Sequence, residues 1–574
     1  MTERWSTTLF RAVAGLLIAA GVIFLVLTCI GFSPAQMASM FSHPVKGGTG
    51  EEIDEAAEEA PDAPEHVAPR RKFGTANHAV LAIYLVAMLG IGYVASRRIK
   101  GARSFFIANG KLNYVLVGLS LLGTYLSALT VMGLPGMSYG KHNWTYVVQL
   151  PFLILTAVVI TRVVLPRYRE AGVISVYEYL EQRIHLSARI IASISFIIFS
   201  IARMGLVLYL PALAFSTVAG VPLPVCILVM GVIITLYTVL GGIEAVVWTD
   251  AIQVVIFVVG AILTLGYIFS DIGVERFLEI GMAHNKFRII KPSLNFGEIV
   301  TLWLILETIF QTIRIYGTQQ DMTQRYMTTE STVKANRSVW IAIIAYIPLG
   351  FIFYFIGTAL FAFYQANPDA TLPGKADPIY AHFIVSNLPP GVAGLLIAAI
   401  FAAAMSSIDS LMNSSSTVCI EDFFKRFGRT RRSGAYYLSW ARLLTILWGV
   451  LAVGMSLLCM RIQYVQVVWG KVMGIATNGM LGLMALAFLP FRINKWAAIA
   501  GFATSYVCLL VMMAPDINFG PLPYVGVYLN HWASYVPKVS FLLWTVIGNT
   551  ACVLVALALN PLFSRKPAEG TADS

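Results

Sequence analysis

A row of hydroxyls runs through the apolar stretch from Phe401 to Glu421, FAAAMSSIDSLMNSSSTVCIE. On a helix, Ala403, Ser406, Ser407, Ser410 and Ser414 fall at i, i+3, i+4, i+7 and i+11, which is one face. Asp409 lies beside that stripe, three residues after Ser406. Hydroxyls and a carboxylate at membrane depth are costly unless something uses them. Hard oxygen donors suit a small hard cation, and Na+ is the obvious one. The plainer alternative is that small hydroxylated residues let two helices pack closely.

A second chemistry centres on Arg203, inside the apolar run SISFIIFSIARMGLVLYLPALAF. A guanidinium at that depth needs an anion or several acceptors. Its planar fork suits two-point capture of a carboxylate. The alternative is a structural ion pair with a residue such as Glu307. Glu307 and Arg314 stand seven residues apart in one apolar stretch. They share a helix face about 10 Å apart, too far to pair directly. Glu307 is expected to face the cavity and Arg314 to lie near the cytoplasmic end, reaching the interface.

The elements that must position these residues follow from composition. Of 574 residues, 58% are hydrophobic and 12% charged. Several apolar runs reach the ~20 residues that span a bilayer. The chain is therefore expected to be an all-α polytopic membrane protein. Its six cysteines, Cys29, Cys226, Cys419, Cys459, Cys508 and Cys552, lie in apolar runs without CxxC spacing, as small core residues do. The net charge of +11 belongs to cytoplasmic loops and does not point to nucleic acid. No nucleophile–base motif, phosphate-binding loop or HExxH-type metal cluster supports an enzyme.

Residues 1–32 read as an extra N-terminal transmembrane helix or signal anchor, and 33–76 as an acidic extracytoplasmic linker. The segment 77–112 supplies a helix before the core, closed by the basic stop signal Arg97–Arg103. Further spans are expected near 113–138, 143–163, 188–214, 222–240, 244–269, 298–318, 337–364, 391–418, 434–459, 464–489, 495–514 and 539–561. That makes about 14 transmembrane helices, with a tail at 562–574. The even count puts both termini on one side, and the basic loops place that side in the cytoplasm. The blocks 113–269 and 298–489, separated by an extracytoplasmic loop at 270–297, each hold five spans entering from opposite sides. An inverted repeat has that form. The first span of the first block, Ser120–Gly136, holds Gly123, Thr124, Ser127, Thr130, Gly133, Pro135 and Gly136. Irregular backbone of that kind is tolerated in a membrane where its carbonyls line a cavity.

Five segments, in order, resemble the sodium:solute symporter family. They are TYLSALTVMG, SVYEYLEQR (Ser175–Arg183), GGIEAVVWTDAIQ (Gly241–Gln253), QQDMTQRYMTT (Gln319–Thr329) and AAIFAAAMSSIDSLMNSSS. The likeness runs from about residue 77 to 515 and is greatest to bacterial sodium/sialic acid symporters. It implies a leucine-transporter-like five-plus-five inverted repeat working by alternating access. It also implies a shared sodium site between the first and eighth core helices. That site would be formed by the carbonyls of Gly123, Leu126 and Ala403 and the hydroxyls of Ser406 and Ser407. A second cation site would use Asp250, Ser406, Asp409 and Ser410. Asp409 departs from the family pattern, which has serine there, and would hold either a cation or a proton. The alternative for Asp250 is a buried acid held by the neighbourhood of Thr249 or Gln253. By the same resemblance Arg203, Ser127 and Thr130 would bind the substrate. Tyr125 and Gln149 would line the same pocket, Tyr125 in place of a smaller residue and Gln149 one position out of register.

The expected function is Na+-coupled uptake of a small organic anion, with one or two Na+ as coupling ions. A carboxylate-bearing sugar acid such as sialic acid fits best, and a monocarboxylate or neutral sugar is the rival. A transporter-like sensor is the rival of another class. The protein is expected in the bacterial inner membrane, surrounded by lipid and functional as a monomer.

Overall fold

The computed structural model describes residues 74–563 apart from 141–143, 291–292, 297–299, 375, 377, 429–431, 461–473, 517–530 and 532–533. The expected N-terminal helix, most of the acidic linker and nearly all of the tail lie outside the described residues. Within them the chain is helical, with no strand beyond a single bridge between Leu112 and Thr329. Nine helices among the described residues are long and apolar enough to cross a membrane, or ten if one bent pair counts as a span. The five described cysteines are free, and four of them are buried.

The elements that build the site begin with α1, Thr75–Ser96. The first core span is two helices, α2 (Tyr114–Tyr125) and α3 (Leu134–Tyr139), joined through Leu126 and a wide turn at Leu129–Gly133. The two halves bend by 62°. Arg203 sits on α4, Leu186–Ala219. The run Leu223–Ile272, α5, is continuous in helical assignment but breaks at Gly242, where φ is +51°. Fifty helical residues would extend about 75 Å, over twice a bilayer core. The Gly242 break divides it into two helices. Only glycine suits that turn, because a Cβ there would meet the Phe105 carbonyl at 2.6 Å.

Next come α6 (Thr301–Thr318), the short α7 (Gln320–Tyr326) and α8 (Thr332–Ala366). The hydroxyl-rich helix is α9, Val392–Val418. It is the most enclosed span: 89% of its apolar window is buried, against 28% for α1. That location explains how a helix can carry so many hydroxyls, since none of them faces lipid. Most take a partner from the helices around them or from their own preceding turn, whereas Ser407 and Ser415 have none among the described residues. Asn77 of α1 caps its N-terminus, its Oδ1 accepting from Gly391 N at 2.6 Å and Gly394 N at 3.0 Å. The remaining long helices, Gly434–Cys459, Lys495–Met513 and Phe541–Phe563, pack outside this centre.

Candidate functional site

The break in the first core span faces the middle of α9. Leu126 is extended (φ −70°, ψ 122°), so α2 ends with carbonyls outside the helical ladder. The Gly123 carbonyl accepts from Ser406 Oγ at 2.9 Å. The same hydroxyl lies 3.2 Å from the Ala403 carbonyl one turn back. Ser407 Oγ is buried without a hydrogen-bond partner among the described residues. Gly123 permits the approach on its other side too, where a Cβ would lie 3.3 Å from the Asp250 Cβ. Gly123, Ala403 and Ser406 thus meet, with Leu126 at the same break and Ser407 on the adjoining position of α9. Two carbonyls, a hydroxyl and an orphan hydroxyl form an oxygen set that suits a small monovalent cation.

One helix turn further along α9 lies a cluster of buried charge. Asp250 Oδ2 accepts from Ser120 Oγ at 2.5 Å, from Thr124 Oγ1 at 3.4 Å and from Arg325 Nη2 at 2.9 Å. Arg325 Nη2 also reaches Ser410 Oγ at 2.5 Å, and Nε reaches Ser120 Oγ at 2.7 Å. Ser410 Oγ stands 3.3 Å from Thr124 Oγ1 and 3.1 Å from Asp409 Oδ1. Asp409 Oδ2 accepts from Tyr237 of α5 at 2.7 Å. Asp250, Asp409, Ser406 and Ser410 are therefore brought together, but with a guanidinium among them. Asp250 is held by that arginine and two hydroxyls rather than by Thr249 or Gln253. The Thr249 hydroxyl bonds back to Ala245 and Val246, and Gln253 donates to Tyr84. The other Asp250 oxygen, Oδ1, is buried without a hydrogen-bond partner.

Arg325, Tyr237, Ser120 and Thr124 were not among the residues expected at the site. Arg325 stands inside the motif QQDMTQRYMTT, and that motif was the available signal. Its polar composition reads as a cytoplasmic loop, whereas α7 is folded inward and fully buried. Gln324 pins it there, donating to Asn413 Oδ1 at 2.7 Å and accepting from Thr417 at 3.2 Å.

The expected substrate residues are distributed over the α2–α3 break, the segment Thr145–Phe152 and α4. Ser127 is buried, and its backbone N–H meets Thr130 Oγ1 at 3.4 Å. The Tyr125 ring packs against Tyr346 and Tyr316, with centroids 4.7 and 5.5 Å away. Gln149 is half-buried on the tight helical segment Thr145–Phe152, which packs beside α6 and α8. Arg203 is buried on α4, and its ion pair is with Asp321 of α7 at 3.6 Å, not with Glu307. Arg314 does not reach an interface: it is 1% exposed. Burial between helices, which a linear hydropathy pattern does not reveal, overrides its place near the helix end.

The family model for the sodium:solute symporter family matches residues 105–504. The chain belongs to the sodium:solute symporter family. It is a Na+-coupled, multi-pass membrane transporter and not an enzyme. A sodium/sialic acid symporter of Proteus mirabilis, SiaT, is 30% identical over 86% of this chain and 96% of its own. A second, NanT of Aliivibrio fischeri, is 32% identical over 78% of this chain and 90% of its own. The mouse sodium-coupled monocarboxylate transporter 1 is 28% identical over 77% and 73%. Among solved structures, the substrate-bound, outward-open state of a Na+-coupled sialic acid symporter superposes with a TM-score of 0.75. It is 30% identical and covers 86% of this chain and 99% of that one. A nucleobase-cation-symport-1 family transporter, 14% identical with a TM-score of 0.51, shares the fold.

Proposed function

We propose that this symporter couples inward Na+ movement to uptake of a carboxylate-bearing sugar acid, with sialic acid the best candidate. The observation that carries this is the meeting of Gly123 and Ala403 carbonyls with Ser406 beside the orphan hydroxyl of Ser407. Sodium bound there ties the broken first core span to α9. That link favours the conformation that accepts substrate, and substrate strengthens sodium binding by the same factor. One Na+ moving down 100 mV supplies about 2.3 kcal/mol, roughly fifty-fold in concentration.

The second cation position is Asp250, Ser406, Asp409 and Ser410. Two carboxylates share this cluster with one guanidinium, Arg325. One negative charge is left for a monovalent cation, a second Na+ or a proton. Substrate binds by its carboxylate to Arg203 and by its hydroxyls to Ser127 and Thr130, with Tyr125 and Gln149 lining the pocket. Blocks 113–269 and 298–489 act as inverted repeats that rock about this centre within a fold of about 14 spans. Both termini face the cytoplasm, and the working unit is the monomer in the inner membrane.

The test is uptake of labelled N-acetylneuraminic acid into proteoliposomes under an inward Na+ gradient, with K+ as control. Accumulation under Na+ alone is expected. No uptake by an intact preparation would sink sialic acid as the substrate. A thermal-shift screen of other organic acids, with and without Na+, would then follow.

A further inference from the structure

Three oxygens beside the Arg325–Asp250 pair lack a donor among the described residues. Asp250 Oδ1 is buried and unpartnered. Gln253 Oε1, one turn further along α5, is equally buried and equally unpartnered. The third is Asp409 Oδ1, which faces Ser410 Oγ at 3.1 Å. A hydroxyl has one proton to give. Ser410 gives it to the Ser406 carbonyl, nearer at 2.5 Å, and takes Arg325 Nη2 on its own oxygen. Buried acceptors without donors are costly. A bridging water would bring two protons to three oxygens and leave the surplus negative charge of the cluster in place. A cation satisfies both demands at once.

Contacts with α1 fix which end of the Gln253 amide is left over. Its Nε2 donates to Tyr84 Oη at 3.0 Å and stands 3.8 Å from Met88 Sδ, both on α1. Tyr84 in turn donates to Met405 Sδ at 3.5 Å. Met405 precedes Ser406 on α9, so this short chain of contacts runs from α1 through α5 to the edge of the cation cluster. With its nitrogen held by α1, the amide has only its oxygen to offer. Residues three apart on a helix have Cβ atoms about 5–6 Å apart, close enough for Asp250 and Gln253 to hold one ion between them.

We propose that Gln253 is a further ligand of the second cation, and that Tyr84 of α1 is its positioning residue. This rests on the reading of Asp250 and Asp409 as a cation position and deepens it. An amide oxygen coordinates a hard metal cation but takes up no proton at physiological pH. The occupant is therefore Na+ rather than a proton. The helix α1, which precedes both five-span blocks, becomes part of the ion site, because its tyrosine sets the direction of the ligand.

The experiment measures radiolabelled Na+ bound at equilibrium to the full chain in detergent. Choline replaces Na+ at constant ionic strength, and no organic substrate is present. Wild type should show two classes of site, and Ser407→Ala should weaken the shared class. Gln253→Met keeps the side-chain length and removes the oxygen. It should weaken the other class about tenfold and leave the shared class as it was. Gln253→Glu keeps an oxygen at that reach and gives up the donor to Tyr84. It should hold Na+ at least as tightly as wild type. Tyr84→Phe should weaken the same class about threefold, and should add nothing to Gln253→Met. Unchanged binding in Gln253→Met would overturn the proposal. An equal loss in Gln253→Met and Gln253→Glu would overturn it too, by marking the amide as a packing contact for α1. If Gln253→Met fails to fold, the other two variants decide: Na+ binding lost in Gln253→Glu, or unchanged in Tyr84→Phe, overturns it. If wild type shows a single class of site, sensitive to Ser407→Ala, the second cation position falls and the proposal with it, while the shared sodium site and sugar-acid uptake stand.

Discussion

Removing Arg325 is expected to destabilise the protein more than any other single truncation on α7. Its guanidinium donates to Ser120 at 2.7 Å, Asp250 at 2.9 Å, Ser410 at 2.5 Å and the Asp321 carbonyl. Both members of the Arg325–Asp250 pair are fully buried. Breaking such a pair from one side costs about 3–5 kcal/mol, because the partner charge stays buried. Asp250 keeps two hydroxyl donors, Ser120 and Thr124, after the change. That places the expected cost of Arg325→Ala near the lower end, about 3 kcal/mol. Adding Asp250→Asn removes the stranded charge. The double variant should therefore recover about 2 kcal/mol relative to the sum of the singles. Unfolding in mixed detergent and SDS micelles, run on wild type, both singles and the double, measures this coupling. A cost below about 1 kcal/mol for Arg325→Ala, or no coupling in the cycle, would refute the view that α7 is locked to the core by this pair.

Three further outcomes can be checked. Ser407→Ala should raise the Na+ concentration for half-maximal uptake by about tenfold, the worth of ~1.4 kcal/mol. An unchanged Na+ dependence would remove Ser407 from the sodium site. Arg203→Lys should weaken acid binding with little change in Na+-induced stabilisation, since a point charge replaces a two-point fork. Unaltered substrate affinity would exclude Arg203. Lys286, in the segment between α5 and α6, is buried and donates to the carbonyls of Tyr139 at 2.7 Å and Gly140 at 2.8 Å. Burial brings its pKa down from 10.5 to about 8. Between those values the unfolded chain binds the proton and the folded chain does not. Stability relative to Lys286→Met should therefore rise as pH climbs from about 8 to 10.5, by at most about 3 kcal/mol. Midpoints that run parallel at pH 7.5 and 9.5 would show that Lys286 keeps its ordinary pKa.

Hydropathy and hydroxyl spacing alone marked this chain as a helical membrane protein with an oxygen-lined helix at its centre. Period and composition suffice for that, because a helix repeats its face every few residues and lipid tolerates no exposed polar stripe. Ser406 was legible as one of a row, and Arg203 as a charge needing an anion. The partner choices were not legible, because they are made across hundreds of residues. Asp250 meets Arg325 only because α7 folds inward, pinned by Gln324 to Asn413. Arg203 meets Asp321 for the same reason, when sequence spacing offered Glu307 instead. Arg314 looked like a helix-end residue able to reach water, and packing closed over it. In the low dielectric of a membrane core a charge is governed by its nearest counter-charge, and only the tertiary structure decides which one that is.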